Sequence, residues 1–175
     1  VSSNDTLENN TGTSSSSEGI LLVSTANSTL RTNNGTSDSG IGIRLSGAAN
    51  NTLIGNNGTS NGDAGLSVQG GSDNSTLIDN SGVSTLNTGL AVDSSTNVTL
   101  INNTGSSSIN SGIELGTVTY SSVTNNTATS DSGNGLRISG NSQYNLFMTN
   151  IGSSNSVKGI ELANSHNNTF INNTG

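Results

Sequence analysis

The sequence predicts an all-β solenoid of about seven coils, each of 23–24 residues. Three observations support this fold class: an apolar anchor residue that recurs at that spacing, an asparagine three residues after each anchor, and glycines five and twelve residues after it. Periods of this length are typical of repeat proteins whose units stack on one another. The pattern runs through residues 1–175, which we interpret as a single domain and as a segment or subunit of a longer rod.

The anchor residues define the first wall of each coil. They are Leu7, Leu30, Leu53, Leu77, Leu100, Val123, Phe147 and Phe170. Only 27% of the residues are hydrophobic, whereas typical domains are roughly 45–50% apolar. One coil cannot bury its own apolar residues, so stacking must create one thin, continuous core.

A second strand is predicted after the glycine twelve residues beyond each anchor. In "GIRL" at residues 42–45, strand alternation places Ile43 and Leu45 on one side and Arg44 on the other. The inward columns are then Ile20, Ile43, Leu66, Leu90, Ile113, Leu136, Ile160 and Leu22, Leu45, Val68, Val92, Leu115, Ile138, Leu162. The remainder of each coil, such as "TSNGDA" at residues 59–64, is small and polar, and we expect it to be a turn-rich third side.

The asparagine column is the strongest polar signal in the sequence. It consists of Asn10, Asn33, Asn56, Asn80, Asn103, Asn126, Asn150 and Asn173. A stacked amide can donate to one neighbour and accept from the other, and asparagine tolerates the backbone of sharp turns. We therefore predict a structural ladder along the rod, in preference to a row of ligand-binding groups.

The repeat units resemble those of a known protein family. The units "GIRLSGAANNTLIGNNGTS" and "GIELANSHNNTFINNTG" are similar to those of right-handed parallel β-helix proteins. They are closest to the Asn-rich type of periplasmic copper-binding (NosD-type) proteins and of archaeal and bacterial cell-surface proteins. The resemblance implies the right-handed coil but no single function, because the scaffold carries lyases, hydrolases, adhesins and structural proteins.

The asparagine and threonine columns together produce the N-x-S/T acceptor pattern for N-glycosylation. The twelve candidate acceptors are Asn4, Asn9, Asn27, Asn34, Asn50, Asn57, Asn74, Asn97, Asn102, Asn125, Asn167 and Asn172. An Asn- and Thr-rich repeat also creates this pattern by accident. Because a glycan needs an exposed amide, glycosylation would compete with ladder formation at any position that served both.

A flat face beside the anchors, the Thr/Ile face, is expected to point outward. It combines Thr29, Thr52, Thr76, Thr99 and Thr169 with Ile54, Ile78, Ile101, Met148 and Ile171. Strand propensity explains these residues, as does lateral packing of rods. An ice-binding surface is the third interpretation.

The outward column of the second strand carries most of the candidate chemistry. It reads Leu21, Arg44, Ser67, Ala91, Glu114, Arg137 and Glu161. The charges on the last three coils predict a solvent-exposed ion-pair ladder. Asp93 and Glu114 are the only acids placed for catalysis, and the single histidine, His166, lacks a cysteine or second histidine, so no copper site, other metal site or cofactor is expected.

Composition excludes several classes of partner. Eleven acidic and four basic residues give a net charge of −7, which disfavours nucleic acids and anionic membranes. No apolar run approaches the roughly 20 residues of a membrane span, and the absence of cysteine excludes disulfides.

These patterns favour an extracellular or cell-surface structural protein without enzymatic activity. It would be a repeat unit of a filament, sheath, surface layer or adhesin stalk. Neither end looks capped, so we expect end-to-end self-association, with lateral association through the Thr/Ile face. An ice-binding solenoid and a lyase- or hydrolase-like enzyme acting on polysaccharides are the alternatives.

Overall fold

The computed structural model describes residues 2–175, so Val1 of the predicted domain lies outside the described residues. Within that range the chain forms 22 short strands in three parallel sheets, and no helix. Most coils place one strand in each sheet, because the chain turns a corner after every strand. The all-β solenoid of about seven coils is therefore confirmed.

The first sheet contains the anchor residues at the centre of its eight strands. The strands are β1 (Thr6–Glu8), β4 (Thr29–Arg31), β7 (Thr52–Ile54), β10 (Thr76–Ile78), β13 (Thr99–Ile101), β16 (Ser122–Thr124), β19 (Leu146–Met148) and β22 (Thr169–Ile171). Equivalent residues pair across the sheet, so Leu77 lies opposite Leu53 and Leu100. At about 4.8 Å between strands, this sheet is roughly 34 Å long.

The second sheet occupies the side that the sequence predicts to be turn-rich, and this prediction was wrong. Its seven strands are β2 (Thr11–Ser14), β5 (Asn34–Ser37), β8 (Asn57–Ser60), β11 (Ser81–Ser84), β14 (Thr104–Ser107), β17 (Thr127–Ser130) and β20 (Ile151–Ser154). Only the later part of "TSNGDA", from Asn61, is a bend. Small residues form this sheet because parallel neighbours supply its backbone hydrogen bonds, whatever the strand propensity of a single coil.

The third sheet contains the apolar-x-apolar stretches. Its seven strands are β3 (Ile20–Val23), β6 (Ile43–Ser46), β9 (Leu66–Gln69), β12 (Leu90–Asp93), β15 (Ile113–Gly116), β18 (Leu136–Ser139) and β21 (Ile160–Leu162). The alternating burial of β6 matches the predicted one, since Ile43 and Leu45 are buried and Arg44 is half-buried. Ser67 is the exception in the outward column, because it is only 2% exposed.

The core is one cluster that runs the length of the rod. The anchors from Leu30 to Phe147 are fully buried, as are the inward residues of the third sheet in the middle coils. Leu7 and Phe170 are only partly buried in the end coils. Leu162 was predicted to face inward, but it is 48% exposed because no further coil covers it in the described chain.

Two glycine columns allow the second and third sheets to approach closely at their shared edge. A Cβ atom on Gly58 would lie 2.2 Å from the carbonyl oxygen of Gly65. Backbone atoms cannot move aside as a flexible side chain can, so glycine recurs at both positions in nearly every coil. Ala128 is the one replacement in the first of these columns, and it is fully buried.

Candidate functional site

The outer face of the third sheet carries two clusters of ion pairs. In the first, Arg44 Nη1 bonds Glu18 Oε1 at 2.7 Å. With its carboxamide oxygen turned toward Arg44, Gln69 accepts from Nη2 and Nε at 2.5 and 2.6 Å. This guanidinium is therefore held on both sides by neighbouring coils.

The second cluster contains the three charges that the sequence places on successive coils. Arg137 Nη1 bonds Glu114 Oε1 at 2.8 Å, and its Nε bonds Glu161 Oε2 at 3.2 Å. Lys158 also pairs with Glu161, and Asn134 donates to Glu161 Oε2 at 3.0 Å. These residues form a vertical ladder of charge-assisted hydrogen bonds.

Two carboxyl groups in these clusters have a pKa below the ordinary value of a glutamate. Hydrogen bonds from Ser17 and then Arg44 hold the pKa of Glu18 below its ordinary value of 4.5. A hydrogen bond from Lys158 has the largest effect on Glu161 and also lowers its pKa, against the opposing effect of burial. A general acid at neutral pH needs a raised pKa, so both carboxylates fit a structural role better than an acid–base one.

We expect these two carboxylates to contribute to the loss of folding stability at acid pH. A depressed folded-state pKa stabilises the fold at pH values above about 4.5, and the contribution is lost as pH falls further through the folded-state value. Glu18→Gln and Glu161→Gln should each lower the stability at pH 7 by about 1 kcal/mol or less. Urea denaturation across the acid range should show a shallower loss of stability in the double variant. Glu8→Gln, an exposed acid outside these ion pairs, is the control, and an equally shallow loss in that control would contradict the assignment.

A groove separates the two charged clusters. Between Arg44 and Glu114 the outward column carries only Ser67 and Ala91, and this change in side-chain size leaves a cavity of about 460 Å³. Asp63 and Asn87 lie along one side, and Gln69 and Asp93 lie along the other. The two acids that the sequence singles out, Asp93 and Glu114, both line this groove, and Asp63 joins them.

The asparagine column lies inside the corner after the first sheet. From Asn10 to Asn150, each Nδ2 donates to Oδ1 of the asparagine on the next coil, at 2.8–3.1 Å. The same oxygen accepts from the backbone N–H of the preceding rung, as in the 2.9 Å bond from Asn80 to Asn103. The six inner members are 1% exposed, whereas Asn10 is exposed and Asn173 half-buried at the ends. The eight amides therefore form a continuous hydrogen-bonded column, and its structural role stays a prediction.

Two further interior columns escaped the sequence analysis. A serine ends each second-sheet strand, and from Ser37 onward its hydroxyl donates to a backbone carbonyl of the previous coil, as from Ser60 to Gly40 at 2.6 Å. The same oxygen accepts from the turn that follows, as from Asp63 N–H at 2.9 Å. Asn51 and Asn145 cap the opposite corner, where Asn145 Oδ1 accepts from Ser121 N–H at 2.8 Å. The serine in all seven coils was the available signal.

The twelve candidate glycosylation sites occupy columns other than the buried ladder. All twelve asparagines are exposed, so the two uses of asparagine do not compete for the same side chains. Ten of them have positive φ, the exceptions being Asn34 and Asn57. They flank the first sheet or begin second-sheet strands, and none lies in a third-sheet strand. Their glycosylation stays a prediction.

Tyr120 and Tyr144 replace asparagine in one of these exposed columns. Their rings stack with centroids 5.2 Å apart and planes 11° apart. The Thr/Ile face lies on the outer side of the first sheet, where its middle residues are half-buried and Thr169 and Ile171 are exposed. In the middle coils its threonines pair in register, as Thr76 does with Thr52 and Thr99.

Fold and surface together define a parallel β-solenoid with an uninterrupted polar ladder and one charged face. The family model described as "Periplasmic copper-binding protein (NosD)" matches residues 1–81 and again residues 71–174. The chain belongs to this NosD family, which confirms the resemblance drawn from its repeats. No curated protein matches the chain.

A solved structure with the same fold is the A-module of the mannuronan C-5 epimerase AlgE6 from Azotobacter vinelandii. The two chains superpose with a TM-score of 0.64 at 14% identity, over 98% of this chain and 54% of the module. The chain thus spans about half the length of that module. At this identity the likeness concerns the fold alone.

The donor set does not fit the copper site that the family description implies. Copper in proteins is held by cysteine, methionine and histidine, and this chain has no cysteine, one methionine and one histidine. His166 is exposed and pairs through its backbone with Gln143, while Met148 lies in a first-sheet strand. Within residues 2–175 no three His, Cys, Asp or Glu side chains are grouped closely enough to hold a metal ion. The same range contains no helix that could cross a bilayer.

Proposed function

We propose that this chain is a rigid structural rod of an extracellular or cell-envelope surface protein, in a filament, sheath, surface layer or adhesin stalk. The observation that carries the proposal is the buried asparagine ladder, which continues without a gap from Asn10 to Asn173. The family described as periplasmic supports a location in the cell envelope.

The bonding pattern favours a mechanical role. Each inner coil is joined to its neighbours by strand pairing in three sheets and by the side-chain ladder. Bending or shearing the rod would break these bonds together, because they all cross the same plane between two coils. Buried networks with every member bonded rigidify a structure in this way.

Self-association is the second part of the proposal. Within residues 2–175 the outermost strand of each sheet has a paired neighbour on one side alone, and such an edge can template pairing with another chain. Apolar side chains are also open there, since Leu162 is exposed and Phe170 partly buried. Coils of a second copy would continue the same columns, and the Thr/Ile face would contact neighbouring rods sideways.

A polysaccharide-processing role is the weaker candidate. The epimerase module has this fold, and Asp93 and Glu114 share the groove. However, Glu114 is engaged by Arg137 and by Ser139, whose hydroxyl donates to Oε1 at 3.1 Å. Oε1 of Glu114 is thus already occupied by two donors of this chain, which leaves a substrate less access to that carboxylate.

The test of end-to-end association compares two surface leucines. Sedimentation and electron microscopy of the concentrated chain should show rods longer than the roughly 34 Å of one copy. Leu162→Lys places a charge on the open end coil and should shorten them to single copies. Leu86→Lys, on an exposed side of the rod (55% exposed), should leave them unchanged. A wild-type chain that stays monomeric at high concentration would contradict self-association.

A further inference from the structure

We propose that the groove on the third sheet binds a cationic, hydroxyl-rich ligand, namely an oligomer of amino sugars. This binding site is separate from the structural role of the rod. It rests on the shape of the groove, its charge balance, its free hydrogen-bonding capacity and its position on the surface.

The shape suits an extended ligand. The groove is bounded by Arg44 in β6 and Glu114 in β15, three strand steps apart, which corresponds to roughly 14 Å along the rod. Its floor is made of the small residues Ser67 and Ala91. A volume of about 460 Å³ lies within the usual range of roughly 300–1,000 Å³ for small-molecule sites.

The charge balance selects the sign of the ligand. The charged residues that line the groove are Arg44 and the three acids Asp63, Asp93 and Glu114, which give a net charge of −2. Arg44 is already paired with Glu18, and Glu114 with Arg137. Within residues 2–175 the donors to Asp63 and Asp93 are neutral groups, such as the Asn87 amide that reaches Asp63 Oδ1 at 2.9 Å. The field inside the groove is therefore negative and attracts cations.

Hydrogen-bonding capacity favours a ligand rich in hydroxyl groups. Thr88 is 3% exposed, and among the described residues its hydroxyl reaches only Glu114 Oε2, at 3.4 Å. A contact of that length is a weak bond, so the buried hydroxyl retains capacity for a ligand oxygen. The carboxylates along the walls accept from hydroxyl and ammonium groups alike. Sugar hydroxyls with protonated amines match this set of acceptors.

The position of the groove keeps it accessible. None of the twelve candidate glycosylation sites lies in a third-sheet strand or lines the groove. N-glycosylation would therefore attach sugars to residues outside the groove.

The same charges disfavour an anionic polymer. Mannuronan, which the name of the epimerase module specifies, is built of uronic acids and carries one carboxylate per residue. Such a chain would meet Asp63, Asp93 and Glu114 at close range, with both nearby guanidinium groups already neutralised. Like charges brought together in a groove repel.

The first experiment compares three probes by titration calorimetry and NMR. They are short oligomers of glucosamine, N-acetylglucosamine and mannuronate, at a pH where the amines are protonated and the carboxylates ionised. We expect the glucosamine oligomer to bind most tightly, with an affinity that falls as salt rises. Preference for the mannuronate oligomer, or equal binding of the acetylated and free amines, would overturn the proposal.

The second experiment locates the site with substitutions that the repeat itself tolerates. Asp63→Asn and Asp93→Ser introduce residues that occupy the same columns on other coils, at Asn87 and at Ser139. Each should weaken glucosamine-oligomer binding by about fivefold, the upper range for one exposed charge pair. Asp131→Asn, an exposed acid outside the groove, is the charge control.

A steric pair completes the test. Ala91→Tyr fills the floor of the groove and should abolish binding, while Leu21→Tyr changes the same column outside it and should not. Melting curves of both variants establish that they fold. Binding that survives in a folded Ala91→Tyr variant, or that falls equally in the Asp131 control, would place the ligand elsewhere and refute the site.

Discussion

Leu100→Asp is expected to unfold the middle of the rod. Leu100 is fully buried at the centre of β13, in contact with the single core cluster that both halves of the chain share. An unpaired carboxylate there costs several kcal/mol, which is a large part of the roughly 5–15 kcal/mol of a whole domain. Circular dichroism should show loss of strand signal, and limited proteolysis should cut near the substituted coil.

The neighbouring residue provides the control for this substitution. Thr99 lies one position earlier in the same strand but faces outward and is half-buried. Thr99→Asp should change stability by no more than about 1 kcal/mol, as surface substitutions do. Similar unfolding in both variants, or a native spectrum for Leu100→Asp, would contradict the inward orientation of the anchors.

Asn103→Ala is expected to have a large effect for the substitution of a single polar residue. Asn103 Oδ1 accepts from the backbone and side chain of Asn80 at 2.9 and 3.1 Å. Its Nδ2 donates to Leu77 O and to Asn126 Oδ1, each at 3.0 Å. Removing the amide leaves the Asn80 N–H and the Leu77 carbonyl buried without these partners, at about 1–3 kcal/mol for each group. Urea denaturation should show a loss of about 3 kcal/mol or more.

Asn57→Ala is the matched control, because Asn57 is also an asparagine but is exposed. Among the residues that the structure describes, its side-chain amide donates to Asn34 Oδ1 alone, at 3.1 Å. We expect a loss below about 0.5 kcal/mol. Ser67→Ala would be a poor surface control, because Ser67 is almost fully buried beneath the groove. Equal losses in the free energy of unfolding for Asn103→Ala and Asn57→Ala would contradict the prediction that the buried ladder stabilises the rod.

Most of the candidate site could not be predicted from the sequence. The ion pairs of Glu114, Arg137 and Glu161 follow from one column, because equivalent residues of a repeat stack directly on one another. The groove instead combines several columns, with Asp63 and Asp93 on opposite sides. Their relative positions depend on the angles at which the chain turns its corners. The small Ser67 and Ala91 between the larger Arg44 and Glu114 were the one signal of a cavity.

The sequence by itself determined the period, the parallel stacking, the anchor column and the spacing of the asparagines. These features repeat in every coil. Because each coil contacts only its neighbours, an arrangement that is favourable in one coil is favourable in all of them. Only the tertiary structure decided that the Gly- and Ser-rich side forms a sheet, the second of the three. It also decided that the asparagines of the ladder and of the glycosylation pattern face opposite ways. The physical reason is that small polar residues have weak preferences of their own, so the coils above and below them fix their hydrogen bonds and burial.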